Sequence, residues 1–114
     1  MKIDVVIKIG GSLAQTRALG ALLDSIAGWR RRARIVVVPG GGPFADLVRV
    51  EHHRLGLTEG AAHRMAILAM DQYGLLLSDL ASGALAVSSL DAVGAEARSL
   101  RRRPYWSMAR MAIR

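Results

Sequence analysis

Val5-Val6-Ile7-Lys8-Ile9-Gly10-Gly11-Ser12 is a β-branched run that ends in a glycine pair. Val36-Val37-Val38-Pro39-Gly40-Gly41-Gly42 follows the same plan one segment later. The first run, read over Ile3 to Ile9, is interrupted only by Asp4 and Lys8. It predicts a strand buried on both faces, the habit of parallel sheets. The second predicted strand runs from Arg34 to Val38. Between them, Leu19, Leu22, Leu23 and Ile26 recur at helical spacing, which predicts a helix from Leu13 to Arg32. Arg30, Arg31 and Arg32 close it, where positive charge suits the carbonyl end of the dipole.

The pattern repeats after the second glycine cluster. Pro43 suits the first turn of a helix that continues to about Leu55. Gly56 stops it and Thr58 can cap the next helix. Glu59 to Leu80 reads as one long apolar helix, with Gly74 as a weak point. A face that apolar is expected in a core or a dimer interface. Ser82-Gly83 is a turn, and Ala84 to Val87 reads as a short strand or loop. A further helix is expected from Ser89 or Asp91 to about Arg102. Pro104-Tyr105-Trp106 reads as extended, and Met108 to Arg114 has no clear pattern. Strand, glycine and helix, twice over, predict an α/β fold: a parallel sheet with flanking helices and right-handed crossovers.

The chain has 114 residues, enough for a single domain. With 52% hydrophobic and 22% charged residues it is expected to fold. Its mean hydropathy of +0.27 is high for a small domain, so some apolar surface is expected to meet a partner or further chain. There is no cysteine, which excludes disulfides and thiolate metal sites and fits a reducing, cytoplasmic setting. Met1-Lys2-Ile3-Asp4 lacks the pattern of a signal peptide. The most apolar stretch, Ala61 to Leu80, contains His63, Arg64, Asp71, Gln72 and Asp79 and is too polar to span a membrane. The net charge of +7 favours anionic partners such as nucleotides, phosphates or nucleic acid.

Glycine permits close approach of backbone to a ligand. Helix N-termini offer free N–H groups to anions. In open α/β sheets, ligands bind at the carboxyl ends of strands. Gly10, Gly11, Ser12, Gly40, Gly41 and Gly42 together therefore predict one phosphate-binding crevice; the alternative is two tight turns without a ligand. Lys8 lies two residues before the first glycine. A lysine in a buried strand is costly unless it is paired or serves an anion. It is a candidate to neutralise a transferring phosphoryl group; the alternatives are pairing with Asp4 or reaching out to water.

No Gly-x-x-x-x-Gly-Lys-Ser/Thr run is present, which excludes a P-loop. Gly40-Gly41-Gly42-Pro43-Phe44-Ala45 matches Gly-x-Gly-x-x-Gly/Ala, but no acidic residue ends a following strand, as a dinucleotide site requires. His52, His53 and His63 are not spaced to hold a metal on one helix face, so no protein metal site is expected. Met65, Met70 and Tyr73 read as core or interface packing.

The two motifs, Val5 to Leu13 and Val36 to Asp46, resemble those of the amino acid kinase family. That family includes acetylglutamate, aspartate, uridylate, carbamate and isopentenyl phosphate kinases. Leu55 to His63 and Met65 to Leu80 further resemble a branch found in methylotrophs and methanogens, similar to a kinase of methanofuran biosynthesis. The resemblance implies the substrate-side, N-terminal half of a three-layer α/β/α sandwich. It implies that Lys8 stabilises the transferring phosphoryl group and that Gly10, Gly11 and Ser12 hold it by backbone N–H groups. It assigns Gly41 and Gly42 to the substrate or its phosphate, and Gly40 is grouped with them as substrate-binding. Asp46 falls at a substrate-side position of the isopentenyl phosphate branch; it either faces an amine-bearing substrate or is a plain exposed helix acid.

The resemblance further implies ATP, with magnesium arriving on the nucleotide, and a small-molecule acceptor that is a carboxylate, an amine or a phosphate. Members of the family are about twice this length, and their second half holds the nucleotide. The expected partners are therefore a second copy of this chain or a C-terminal half. Two other readings stay open: a non-catalytic anion-binding or dimerisation module, and an arginine-rich nucleic-acid binder. The last lacks aromatic residues interleaved with its basic clusters.

Overall fold

The computed structural model describes residues 3–30, 32–81, 84–87 and 106–109. Strand β1 is Val5–Ile9 and β2 is Ile35–Pro39. A single 3-10 turn, Gly11–Leu13, follows β1, and helix α1 is Ala18–Trp29. Helix α2 is Gly42–Leu55 and α3 is Glu59–Leu80. Strands β3, Leu85–Val87, and β4, Trp106–Ala109, complete the described elements. The sheet order is β1-β2-β4-β3, and every neighbouring pair is parallel. The expected helix near residues 91–102, the turn at Ser82-Gly83 and the extended Pro104-Tyr105 lie outside the described residues. Met108 and Ala109, which carry no clear sequence pattern, belong to β4.

The core lies on one face of the sheet. Ile7 and Ile9 of β1 alternate onto it, as do Ile35 and Val37 of β2, with Ile7 opposite Val37 in the register. Leu19, Leu23 and Ile26 of α1 and Tyr73 and Leu77 of α3 pack against them. The spacing of these residues along each helix is why one stripe is buried and the rest faces out. Full burial of each Leu or Ile here contributes about 1.5–3 kcal/mol.

The opposite face separates the two strands. Val36 of β2 is 1% exposed, as expected for a strand covered on both sides, whereas Val6 of β1 is 64% exposed. The expectation that β1 is buried on both faces is therefore corrected. Among the described residues β1 is an edge strand with one neighbour, β2, so its outward side chains Val6 and Lys8 have less to cover them. Asp4, ahead of β1, accepts hydrogen bonds from the backbone N–H of Arg34 at 2.7 Å and from its Nε at 3.2 Å. That contact ties the starts of β1 and β2 together.

Helix α1 is shorter than its pattern predicts. The Thr16 hydroxyl donates back to Leu13 O at 2.9 Å, and Arg17, at the N-cap, makes no side-chain capping bond, so the helix starts only at Ala18. Arg30 is its C-cap rather than part of its last turn. By contrast, α3 spans the predicted residues without a break at Gly74. Thr58 caps it, accepting from Ala61 N–H at 3.2 Å. Gly56 ends α2 in the left-handed conformation, φ 62°, which lets the chain reverse so that α2 and α3 pack together. His52 Nε2 lies 3.3 Å from Glu59 Oε1 across that reversal. None of the described helices is long and apolar enough to cross a membrane.

Candidate functional site

Both glycine turns leave the carboxyl ends of adjacent parallel strands, so the sheet register places them side by side. The contact between them is backbone on backbone. A Cβ on Gly11 would lie 2.8 Å from the Cα and N of Gly42, closer than real Cβ atoms approach anything. Gly42 itself has φ 61°, and a Cβ there would meet the ring of Tyr73 at 2.9 Å. Two features thus demand glycine at position 42: a left-handed backbone and the absence of space.

The turns enclose a cleft of about 280 Å³ lined by Gly11, Ser12, Gly41, Gly42, Asp46 and Arg49. Helix α2 opens at this cleft with Gly41 at its N-cap and no capping side chain. Pro43 has no N–H, and the N–H groups of Gly42 and Phe44 lack partners within the helix. The positive end of the helix dipole and these free donors favour an anion. Phosphate groups fit that donor set; the backbone supplies N–H groups and no bulk. Arg49 adds a cation, and its Nη1 lies 2.6 Å from Asp46 Oδ1, so part of that charge is balanced.

Of the residues singled out from the sequence, Gly11, Ser12, Gly41, Gly42 and Asp46 meet in the cleft lining. Gly10 and Gly40 stand behind it. The Gly40 N–H donates to Ile9 O at 2.8 Å, which joins the two strand ends. The Gly10 carbonyl accepts from the Tyr73 hydroxyl at 3.2 Å. Lys8 is not among the lining residues. It is exposed on the sheet face opposite the core, and it makes no ion pair with any described residue. Pairing with Asp4 is not what holds it, since Asp4 faces Arg34.

Sequence reasoning did not find Arg49 or the second role of Tyr73. Arg49 is a surface helix arginine by pattern; only its position one turn after Asp46, in the helix that opens at Gly42, marks it. Tyr73 is 0% exposed and does pack in the core, as read. A buried phenol needs a partner for its O–H, and that requirement was the available signal. Burial pushes the Tyr73 phenol above its ordinary value of 10.0. Among the described residues, no three His, Asp or Glu side chains come together as a metal site. Arg31 and Arg101, Arg102 and Arg103 lie outside the described residues.

A second groove of about 280 Å³ runs between α2 and α3, lined in part by Phe44, Val48, Met65 and Ala69. It is apolar and contains none of the glycine-turn residues.

Comparison with known proteins bears on the family and the fold. The chain is 34% identical over 77 residues to (5-(aminomethyl)furan-3-yl)methyl phosphate kinase of Methanocaldococcus jannaschii, covering 66% of this chain and 35% of that protein. The fold matches the crystal structure of uridylate kinase from Archaeoglobus fulgidus with a TM-score of 0.73 and 25% identity, over 94% of this chain and 50% of that one. The chain thus spans about a third of one relative and half of the other. Residues 5–105 match the model of the amino acid kinase family, and the chain, with its parallel sheet and paired glycine turns, belongs to that family.

Proposed function

We propose that this chain provides the substrate side of a kinase that transfers a phosphoryl group from ATP to a small acceptor. The observation that carries the reading is the contact of Gly11 with Gly42, which fuses two glycine turns and an uncapped helix N-terminus into one cleft. ATP, with magnesium on its phosphates, supplies the phosphoryl group. The residues of this chain bind and orient it. The N–H groups of Gly11 and Ser12 face one side of the anion, and the α2 N-terminus faces the other. Lys8, exposed two residues before the first glycine and without an ion pair among the described residues, is assigned to balance charge that develops during transfer.

An amine-bearing or phosphorylated acceptor is supported by the likeness to a kinase whose named substrate carries both an aminomethyl group and a phosphate. Such a substrate would belong to one-carbon cofactor synthesis of the methanofuran kind. Asp46, its side chain 62% exposed at the cleft beside Arg49, is the residue we assign to an amine on the acceptor. Calorimetry with inorganic pyrophosphate, ATP and a non-hydrolysable analogue tests the reading. Binding that Lys8→Ala weakens is expected; a folded chain that binds none of the three overturns it. Substrate-dependent ATP consumption is the further measurement, and a rate unaffected by Lys8→Ala removes Lys8 from the mechanism.

A second reading, association with another copy of this chain, is favoured by Leu47, Val50, Leu68 and Leu75. These are 61%, 58%, 48% and 46% exposed on α2 and α3. The charges beside them on α2 have both signs, Asp46 with Arg49 and Glu51 with Arg54, which suits a face that meets its own copy. Sedimentation is expected to show a dimer; a monomer at all concentrations overturns it.

A further inference from the structure

Tyr73 joins both glycine turns from below, and each half of its side chain serves a different turn. The ring lies under Gly42, where a Cβ would meet Cγ, Cδ2 and Cδ1 at 2.9, 3.0 and 3.2 Å. The hydroxyl donates to the carbonyl oxygen of Gly10 at 3.2 Å. Among the described residues the other donor to that oxygen is Leu13 N–H at 3.4 Å, at the weak end of the hydrogen-bond range.

The Gly10–Gly11 peptide needs such an anchor. It lies between two residues without side chains, and among the described residues beyond its chain neighbours no heavy atom lies within 4 Å of a Cβ placed on Gly10. A glycine–glycine peptide has little steric resistance to rotation as a unit. The peptide is planar and trans, so the Gly11 N–H is directed opposite to the Gly10 carbonyl. Holding the carbonyl toward Tyr73 therefore turns the N–H away from it. Gly11 lines the cleft and Tyr73 does not.

We infer that Tyr73 is a positioning residue for phosphate: its hydroxyl fixes the Gly10–Gly11 peptide so that the Gly11 N–H is presented to the bound anion. The inference rests on the phosphate reading of the cleft. It assigns the two parts of one side chain different tasks, the ring supporting α2 at Gly42 and the hydroxyl aiming a donor of the first turn.

Tyr73→Phe separates these tasks, because it keeps the ring and removes the hydroxyl. Pyrophosphate affinity is measured by calorimetry, and the Gly11 amide is followed by NMR in the free protein. The expected result is a folded protein with about a tenfold weaker pyrophosphate affinity, in line with losing the alignment of one charge-assisted hydrogen bond. The Gly11 amide signal is displaced or broadened and that of Gly42 is not. In the double variant Tyr73→Phe/Gly10→Ala, the added Cβ restricts the peptide and recovers part of the affinity. Lys8→Ala serves as the contrast: it weakens pyrophosphate binding and leaves the free Gly11 amide unmoved. If wild type binds pyrophosphate and Tyr73→Phe binds it equally well, the inference is wrong, whatever happens to the melting temperature. If wild type does not bind pyrophosphate, the phosphate reading itself fails, and the inference with it. Should Tyr73→Phe unfold, the Gly10→Ala single variant decides, since tighter pyrophosphate binding is expected from it and weaker binding counts against the inference.

Discussion

Gly11 and Gly42 touch through their main chains, with a Cβ on the first falling 2.8 Å from the Cα of the second. Residues far apart in sequence thus share one wall. Gly11→Ala must push the turns apart. The expected cost is about 1–3 kcal/mol, the usual range for overpacking, together with loss of pyrophosphate binding. Thermal unfolding and calorimetry check the two parts separately.

Glycines in this chain differ sharply in what they tolerate. Gly42→Ala meets the Tyr73 ring and a left-handed backbone, φ 61°. The backbone term alone costs about 1–2 kcal/mol, and the clash adds to it. Gly20→Ala, in α1 with open space around it, is expected to stabilise by about 0.5–1 kcal/mol. For a domain of this size each kcal/mol shifts the melting temperature by about 4–8 °C, so the two variants should move it in opposite directions.

Burial raises the Tyr73 phenol above its ordinary value, and the sign of the pH effect follows. Below about pH 10 the phenol is protonated in both folded and unfolded chains and stability is unaffected. Above it, the unfolded chain ionises first and is favoured. Stability therefore falls as pH rises toward the folded value, where the loss levels off. Denaturant titrations from pH 9 to 11.5 should show this fall, and Tyr73→Phe should reduce it. An identical alkaline slope in both proteins would show that Tyr73 is not its source.

Asp46 and Arg49 are paired at the cleft but largely exposed, 62% and 74%. Neutralising either should change stability by less than about 0.5 kcal/mol. Binding should respond instead. Asp46→Asn strengthens pyrophosphate binding a few-fold and Arg49→Ala weakens it a few-fold. Raising ionic strength to about 0.5 M should shrink both differences, since the charges face solvent.

Leu77 is fully buried in the cluster that joins α3 to the sheet. Leu77→Ala is expected to cost about 2–5 kcal/mol, which chemical denaturation measures directly.

The sequence revealed most where the signal was local. Gly56, Thr58 and an apolar period bounded α3 because a helix end is decided within a few residues. The two glycine turns were legible because each follows its own strand. What failed was what depends on distant neighbours. Val6 and Val36 look alike in sequence, yet one is exposed and one buried, because the sheet order decides how each strand is covered. Gly10 and Gly11 also look alike, yet Gly11 lines the cleft while the Gly10 carbonyl faces the Tyr73 hydroxyl, more than sixty residues away. Lys8 read as a buried cation for the same reason that β1 read as a central strand.

The sheet order also has a consequence for synthesis. β2 lies between β1, made before it, and β4, made long after, with Ile35 opposite Trp106. Until residues near Trp106 leave the ribosome, one edge of Ile35-Val36-Val37-Val38 has no strand to pair with. Bare, apolar edges of this kind recruit other chains. The nascent protein therefore passes through an interval in which this apolar strand edge is open, and chaperone demand and expression yield should respond to the length of that interval as well as to the stability of the finished fold.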